Sequence, residues 1–313
     1  MYNYEPKVNE TQEFIEIAND FANPLDIIRE AISNSYDAKA TKIDMLFDVI
    51  ETEGNAVFKI TISDNGKGMN ESELKAFFDL GNSTRKQDLV AIGEKGHGTK
   101  VYFNSKKIRV TTIKDNKKIV GLTVNPYSEL YAGRKPTIQI SVSEIESPSG
   151  TTIEIWEYNN NRRDKFTHSI VKDHVLWFTR HGGIDILFSD CKYKDVELSI
   201  KGLDRSESEI IKFGHIFPED SISLDQLLDD YMTKAPDYYS KKIIKKVNLA
   251  DNPEVSIDVI VSIEGKNIKY QYNDMIRRPG YQAPNGSYTI AERYGIWCAK
   301  ILFQFKEKMN GLI

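Results

Sequence analysis

The sequence predicts an α+β protein made of two mixed domains. Three observations carry this expectation. The chain has 313 residues, enough for two domains at roughly 150 residues each. Runs that alternate apolar and polar residues come in pairs around turn signals, the mark of antiparallel strands with one buried face. Segments with helix start signals stand between and beside those runs.

In chain order, residues 11–22 read as a helix. Asn23-Pro24 starts the next one, with Asn23 as N-cap, Pro24 in the first turn and Asp26 behind it, and the helix is expected to run to about Ala40. Residues 42–50 alternate through Ile43, Met45, Phe47 and Val49. After the turn Glu53-Gly54-Asn55, residues 57–63 place Phe58, Ile60 and Ile62 on one face, completing a hairpin. A glycine-containing loop, Asp64 to Met69, precedes a helix expected over 70–80. Residues 81–98 form a long stretch rich in Gly, Ser, Lys and Asp, and long loops in compact domains usually serve function. A short helix is expected from Thr99 to about Ser105. Strands follow over 107–113, 118–124, 137–142 and 151–158, the first two joined at Asp115-Asn116. Asn159-Asn160-Asn161-Arg162-Arg163 reads as a boundary, placing one domain at 1–158 and a second at 159–313. In the latter, 166–179 reads as a helix, 184–187 and 196–200 as strands, and 255–263 with 267–272 as a hairpin around Glu264-Gly265.

Composition narrows the function classes. Lys and Arg number 42 and Asp and Glu 46, so the net charge is 42 − 46 = −4, and hydrophobic residues make up 40%. That balance excludes disorder of the whole chain. The isoelectric point near 5.9 argues against a wholly basic nucleic-acid binder and leaves room for a local basic patch. Two cysteines, Cys191 and Cys298, are too few for a disulfide framework or a cysteine-rich zinc site. No basic start with an apolar run opens the chain, and no stretch of about 18 apolar residues occurs, so a cytoplasmic protein without a membrane span is expected. The end at Asn310-Gly311-Leu312-Ile313 has no obvious cap, which leaves a longer native chain open.

The helix after Pro24 has two faces. At about 100° per residue, with Leu25 at zero, Ile28 and Ile32 fall near 300° and 340°, an apolar stripe. Glu30, Asn34 and Asp37 fall near 140°, 180° and 120°, on the opposite side. A solvated face is the plain alternative. Asn and Asp are poor choices in mid-helix, however, and a Glu and an Asn four residues apart point at one spot, where they could hold a water and a metal ion together.

Two glycine loops follow. In Asp64-Asn65-Gly66-Lys67-Gly68-Met69, an Asp at a strand end can cap a turn, or accept a hydrogen bond from an exocyclic amine while the glycines let a flat ring approach. In Gly93-Glu94-Lys95-Gly96-His97-Gly98-Thr99-Lys100, backbone N–H groups suit phosphate oxygens. The stretch is close to a P-loop, but Thr99-Lys100 stands in the reverse order, and a P-loop lysine must directly follow the second glycine.

Taken together, Glu30-x3-Asn34-x2-Asp37-Ala38, Asp64-x-Gly66-x-Gly68-Met69, Gly81 through Thr99 and Gly150-Thr151 resemble the GHKL ATPases. That group includes gyrase B subunits, heat-shock chaperones, MutL and the sensor histidine kinases. Asn34-Ser35-Tyr36-Asp37-Ala38, Leu80-Gly81-Asn82-Ser83-Thr84-Arg85-Lys86 and Gly150-Thr151-Thr152-Ile153-Glu154-Ile155-Trp156 are most similar to its MORC-like and MutL-like members. The resemblance covers roughly residues 24–157. It implies a Bergerat fold, a two-layer α/β sandwich that holds ATP between sheet and helices, followed by a smaller transducer-like α/β domain. It implies Glu30 as general base for the attacking water and Asn34 as ligand of Mg²⁺. Asp64 would bind the adenine amino group with help from Thr151, and Gly68 and Met69 would line the adenine pocket. Gly93, Gly96, Gly98 and Thr99 would close over the phosphates, with Lys100 nearby. Asp37, Gly66, Ser83, Thr84, Lys86 and His97 complete the implied nucleotide-binding set.

Sensor kinases carry a phosphoacceptor histidine in a helical dimerisation segment. None of His97, His168, His174, His181 and His215 lies in such a segment ahead of the ATP domain, so hydrolysis is the expected reaction. Dimeric members of the group bring a transducer lysine to the γ-phosphate. Lys300 is the candidate here, with Arg277 and Arg278 as others and a surface role as the plain alternative. The resemblance implies an ATP-gated homodimeric clamp with exchanged N-terminal arms, within a MORC-like or defence-type assembly that includes further protein subunits. A nucleotide-binding switch or a chaperone-like protein is the rival. The run Lys241-Lys242-Ile243-Ile244-Lys245-Lys246 reads as a solvated helix face, or as a contact for DNA phosphates.

Overall fold

A computed structural model of the chain describes residues 9–19, 23–79, 98–183, 187, 193–214, 217, 219, 237–249, 252–265 and 296–305. The chain divides into two compact units, Met1–Gly182 with Lys192–Phe213, and Gly183–Cys191 with Gly214–Ile313.

The first unit is built on an eight-stranded sheet in the order β5-β4-β3-β6-β2-β1-β7-β8. Its strands are β1 (Lys42–Thr52), β2 (Asn55–Asp64), β3 (Lys107–Lys114), β4 (Lys117–Val124), β5 (Gln139–Glu144), β6 (Gly150–Trp156), β7 (Glu197–Lys201) and β8 (Glu209–Ile211). All neighbours are antiparallel except β1 and β7. Two hairpin turns use left-handed residues in succession, Glu53-Gly54 (φ 52° and 76°) and Asp115-Asn116 (φ 51° and 59°). Such turns match the right-handed twist of the strands they join. Helices cover one face. They are α1 (Glu10–Asn19), α2 (Asp26–Asp37), α3 (Glu71–Phe78), α4 (Pro126–Tyr131), the short left-handed stretch α5 (Tyr158–Asn161) and α6 (His168–Phe178).

The alternation expected in the strands sets which face is covered. Ile43, Met45 and Phe47 of β1, Phe58, Ile60 and Ile62 of β2, Ile108 and Val110 of β3, and Ile153 and Ile155 of β6 are buried. Phe166 joins them, its ring centroid 5.2 Å from Phe47 and 4.9 Å from Phe58. From the helix side, Ile27, Ile28, Ala31 and Ile32 of α2 are buried. Each large apolar side chain removed from water in this way contributes about 1.5–3 kcal/mol.

Several elements differ from the sequence expectation. Asn23 does not cap α2 itself: the helix begins at Asp26 with Leu25 in the N-cap position and no side-chain cap, and Asn23 forms the turn ahead of it, its Oδ1 accepting from the Leu25 N–H at 3.1 Å and its carbonyl from the Asp26 N–H at 2.9 Å. The helix stops at Asp37 rather than near Ala40, because Lys39 turns left-handed (φ 59°). Asn70 closes α3 with a full capping box to Glu73. The helix expected from Thr99 is a 3₁₀ segment, Gly98–Phe103, with Lys100, Val101, Tyr102 and Phe103 all buried. A tight helix inserted between layers buries every side, and Ser105 ends it by donating to the Tyr102 carbonyl at 2.6 Å.

The asparagine run read as a boundary is pinned to the sheet. Asn161 accepts from the Phe58 N–H at 2.8 Å and donates to the Ala56 carbonyl at 3.0 Å. The chain then continues through α6 into β7 and β8, so the first sheet runs on past residue 158.

The second unit contains a three-stranded antiparallel sheet, β11-β10-β9, formed by β9 (Tyr239–Leu249), β10 (Asn252–Gly265) and β11 (Ile296–Phe305). The basic run 241–246 therefore lies on a strand, not on a helix. In the ladder Ile243 stands opposite Ile260 and Ile244 opposite Val259 of β10. β10 pairs with β9 and β11. Residues 184–186 of the strand expected over 184–187, and the whole of that expected over 267–272, lie outside the described residues. No described helix is long and apolar enough to cross a membrane.

Candidate active site

The site is assembled where α2 faces the ends of β2 and β6 and the 3₁₀ segment. The glutamate and asparagine inferred from helical spacing are both half-buried, not solvated. Glu30 keeps 19% of its side chain exposed and lies 3.2 Å from the Arg29 guanidinium, which also contacts Asp26 at 3.3 Å. Burial pushes the Glu30 carboxyl above its ordinary value, and Arg29 opposes the rise. The other wall of this position is Gly98, where a Cβ would overlap Glu30 Oε2. One turn along α2, Asn34 Nδ2 is buried without a hydrogen-bond partner. Asp37 sits at the end of the helix.

A second cluster forms at the strand ends. Asp64 closes β2 and pairs across the ladder with Thr151 of β6. Burial raises the Asp64 carboxyl, while the Gly66 N–H at 2.8 Å and the Ser35 hydroxyl favour its charged form. Thr112 is fully buried and ties the cluster together. Its hydroxyl accepts from the Met69 N–H at 2.7 Å, lies 3.2 Å from the Thr151 hydroxyl and donates to the Gly150 carbonyl at 3.3 Å.

Two glycines are required here. Gly68 has φ of 64° and lies against the Ile113 carbonyl, where a Cβ would clash with backbone. At Gly66 a Cβ would come within 2.7 Å of the Ala38 Cβ and 2.9 Å of Asp64 Oδ1. The loop can thus lie flat against the helix end.

Among the described residues, Glu30, Asn34, Asp64, Gly66, Gly68, Met69, Gly98 and Thr151 lie on the elements around this region. Thr99 and Lys100 behave differently. Lys100 is fully buried, and its Nζ donates to the Phe77 carbonyl at 2.9 Å and to the Thr99 hydroxyl at 2.8 Å. Thr99 donates to the same carbonyl at 2.8 Å. Both side chains are thus spent on closing the end of α3. Burial lowers the Lys100 ammonium to about 8. Lys300 falls on β11, opposite Ser262 of β10. Ser83, Thr84, Lys86, Gly93, Gly96, His97, Arg277 and Arg278 lie outside the described residues.

Sequence reasoning missed Arg29, Ser35 and Thr112. Ser35 was visible inside the quoted Asn34–Ala38 stretch. Thr112 carried no local signal, because only strand pairing brings it to Thr151.

The donor set fits a magnesium ion held chiefly by phosphate oxygens. Asn34 offers one neutral amide, and no described cluster of three His, Cys, Asp or Glu side chains could hold a metal alone. The unpartnered atom of Asn34 is its Nδ2, a donor that calls for an acceptor such as a phosphate oxygen, while its amide oxygen is the atom a metal would take.

This arrangement defines a nucleotide-binding α/β sandwich. The family model of histidine kinase-, DNA gyrase B- and HSP90-like ATPases matches residues 23–152, so this part of the chain is similar to GHKL-type ATPase domains. Over 153 residues the chain is 26% identical to the DNA mismatch repair protein MutL of Macrococcus caseolyticus, covering 47% of this chain and 22% of that protein. Over 154 residues it is 30% identical to the MutL of Colwellia psychrerythraea, covering 46% of this chain and 21% of the relative. The chain thus spans about a fifth of the length of the curated relatives it matches.

Proposed function

We propose that the chain is a Mg²⁺-dependent ATP hydrolase that works as an ATP-gated homodimeric clamp. The observation that carries the reading is Glu30, a half-buried carboxylate with a raised proton affinity, one helical turn from Asn34, whose amide nitrogen is buried without a partner. Phosphoryl transfer to water needs positioning and charge neutralisation more than covalent chemistry. Glu30 orients the attacking water and takes its proton. A carboxylate whose proton affinity lies above the ordinary range is a better base at neutral pH than a solvated one. Asn34 would hold the magnesium ion, which supplies charge neutralisation on the phosphates.

Asp64 accepts a hydrogen bond from the adenine amino group, with Thr151 and Thr112 ordering the polar floor of the pocket. Gly68 and Met69 admit the flat base. The glycine-rich stretch through Gly98 serves the phosphates, and Lys300 is the residue proposed to approach the γ-phosphate.

Glu30→Ala tests the reading. Phosphate release is expected to fall by about 10²–10⁴-fold with ATP binding retained. Normal hydrolysis by that variant overturns the assignment of the base. Absence of turnover in the wild-type chain, with ATP bound, supports the rival switch.

DNA is the proposed partner of the clamp. The matched relatives are named as DNA mismatch repair proteins, and β9 carries Lys241, Lys242, Lys245 and Lys246. Phosphate contacts of this kind make affinity fall steeply with salt. DNA binding that does not respond to salt, or to replacement of these lysines, removes this part of the reading.

A further inference from the structure

We infer that Thr112 is a positioning residue that turns the Thr151 hydroxyl proton away from the nucleotide pocket, so that the pocket floor offers only acceptors and selects an amino-bearing base over a keto base. The inference rests on the proposed ATP site and deepens it.

The strand register places the residues involved. Ile43, Asp64, Thr151, Thr112 and Ile119 stand opposite one another across β1, β2, β6, β3 and β4. Two residues further into the sheet, the same face carries Met45, Ile62, Ile153 and Val110, all buried and apolar. Three polar side chains thus interrupt the covered face where the strands end, between two buried isoleucines. Directly opposed residues keep their Cβ atoms about 4.5–5.5 Å apart, so one small group can meet Asp64 and Thr151 together. Thr112 stands one strand beyond and acts through Thr151.

Counting protons fixes the direction of each bond. A hydroxyl has one proton to give and two lone pairs to share. Around the buried Thr112 oxygen are the Met69 N–H at 2.7 Å, the Gly150 carbonyl at 3.3 Å and the Thr151 hydroxyl at 3.2 Å. The N–H can only donate and takes one lone pair. The carbonyl can only accept and takes the proton. One lone pair is left, and it faces Thr151, which therefore donates. Donation in the other sense, from Thr112 to Thr151, sets lone pair against lone pair at Gly150 and leaves the second lone pair of Thr112 unused. Such mismatches are costly in a buried site.

The Thr151 proton is thus spent inward, and its remaining lone pairs are what a ligand meets. Asp64 beside it accepts from the Gly66 N–H at 2.8 Å and, as a carboxylate, has no proton to give. An exocyclic amine, such as that of adenine, brings two N–H donors to these acceptors. A carbonyl in the same place, such as that of hypoxanthine, brings lone pairs against lone pairs. A site of fixed hydrogen-bonding polarity rejects a ligand of the wrong polarity far more strongly than an apolar site does.

Thr112→Val keeps the shape and removes the proton and both lone pairs, which frees the Thr151 hydroxyl to rotate and donate to a carbonyl. In the full chain, Kd is measured for ATP and for ITP, which carries a carbonyl in place of the 6-amino group. The preference for ATP over ITP is expected to fall about tenfold in Thr112→Val, the worth of one hydrogen bond, and to stay at the wild-type value in Thr112→Ser. Loss of the bond to Met69 weakens both nucleotides alike, so the ratio is a readout that packing does not move. An unchanged ratio in Thr112→Val overturns the inference, and so does a ratio that Thr112→Ser fails to retain. Should Thr112→Val not fold, Thr151→Val carries the test, because it leaves the Met69 bond in place. A fallen ratio there supports the inference and a wild-type ratio overturns it. A wild-type chain that binds ATP and ITP equally sinks this inference and leaves the ATP site standing. One that binds neither removes the proposed function as well.

Discussion

The carboxylate of Glu30 occupies the space that a side chain at residue 98 would need, so Gly98 and Glu30 are complementary across two elements far apart in sequence. The absence of a Cβ at Gly98 is what lets α2 and the 3₁₀ segment approach at the point where the proposed base sits.

Gly98→Ala is therefore expected to displace the Glu30 carboxylate. A shift of about 1 Å at a reacting group can cost about 10²-fold in rate. Phosphate release should fall by roughly that factor, while melting temperature changes little, because the carboxylate can swing toward Arg29. Wild-type turnover in the variant removes the link between this contact and catalysis.

The pH profile of turnover reports Glu30. Its carboxyl titrates above the ordinary 4.5, because burial outweighs the nearby Arg29. The rate should rise with pH through that raised value. Arg29→Met removes the opposing cation, so the acid limb of kcat should move to higher pH than in the wild type. A limb that stays put, or moves down, contradicts the electrostatic account.

Asp64→Asn separates binding from stability. The folded state holds the Asp64 proton more tightly than the unfolded chain, since burial raises the carboxyl. Stability therefore decreases as pH rises from the unfolded value through the folded one, and the ionised group is a burden at neutral pH. The asparagine variant should melt no lower than the wild type at pH 7. Its ATP affinity should fall by about 1.5–3 kcal/mol, the contribution of a hydrogen bond to a charged group. Calorimetry of binding and a melting curve test both halves.

Lys100→Met examines the buried lysine. Burial lowers the folded ammonium to about 8, below the ordinary 10.5 of a lysine. The unfolded chain binds the extra proton between those values, so Lys100 makes the wild type more stable as pH rises from about 8 to 10.5. Denaturant titrations at the two pH values should show that gain in the wild type and lose it in the variant. At pH 7 the variant should be more stable, by no more than about 3 kcal/mol. Phe77 keeps its bond from Thr99, so no carbonyl is orphaned. Nucleotide affinity should be unchanged, and a tenfold loss would return Lys100 to the phosphates.

The local rules served well where neighbours in sequence are neighbours in space. Strand alternation gave the buried face of β1 and β2, and the 3.6-residue period put Glu30 and Asn34 together. The rules failed where a distant contact overrode them. Residues 241–246 read as a charged helix face, yet pairing with β10 makes them a strand. The asparagine run 159–161 reads as a break, yet its side chains satisfy the backbone of β2.

By itself, the order of residues determined that α2 has an apolar stripe and an acidic-amide face, and that Asp64 ends a strand beside two glycines. Those are consequences of helical and strand periodicity, which act within a few residues. Only the tertiary structure decided that Gly98 closes over that face, that Thr112 links Met69 to Thr151, and that Lys100 points to Phe77. These contacts depend on strand pairing and layer packing, where removal from water and the need to satisfy buried polar groups act between residues with no sequence relationship.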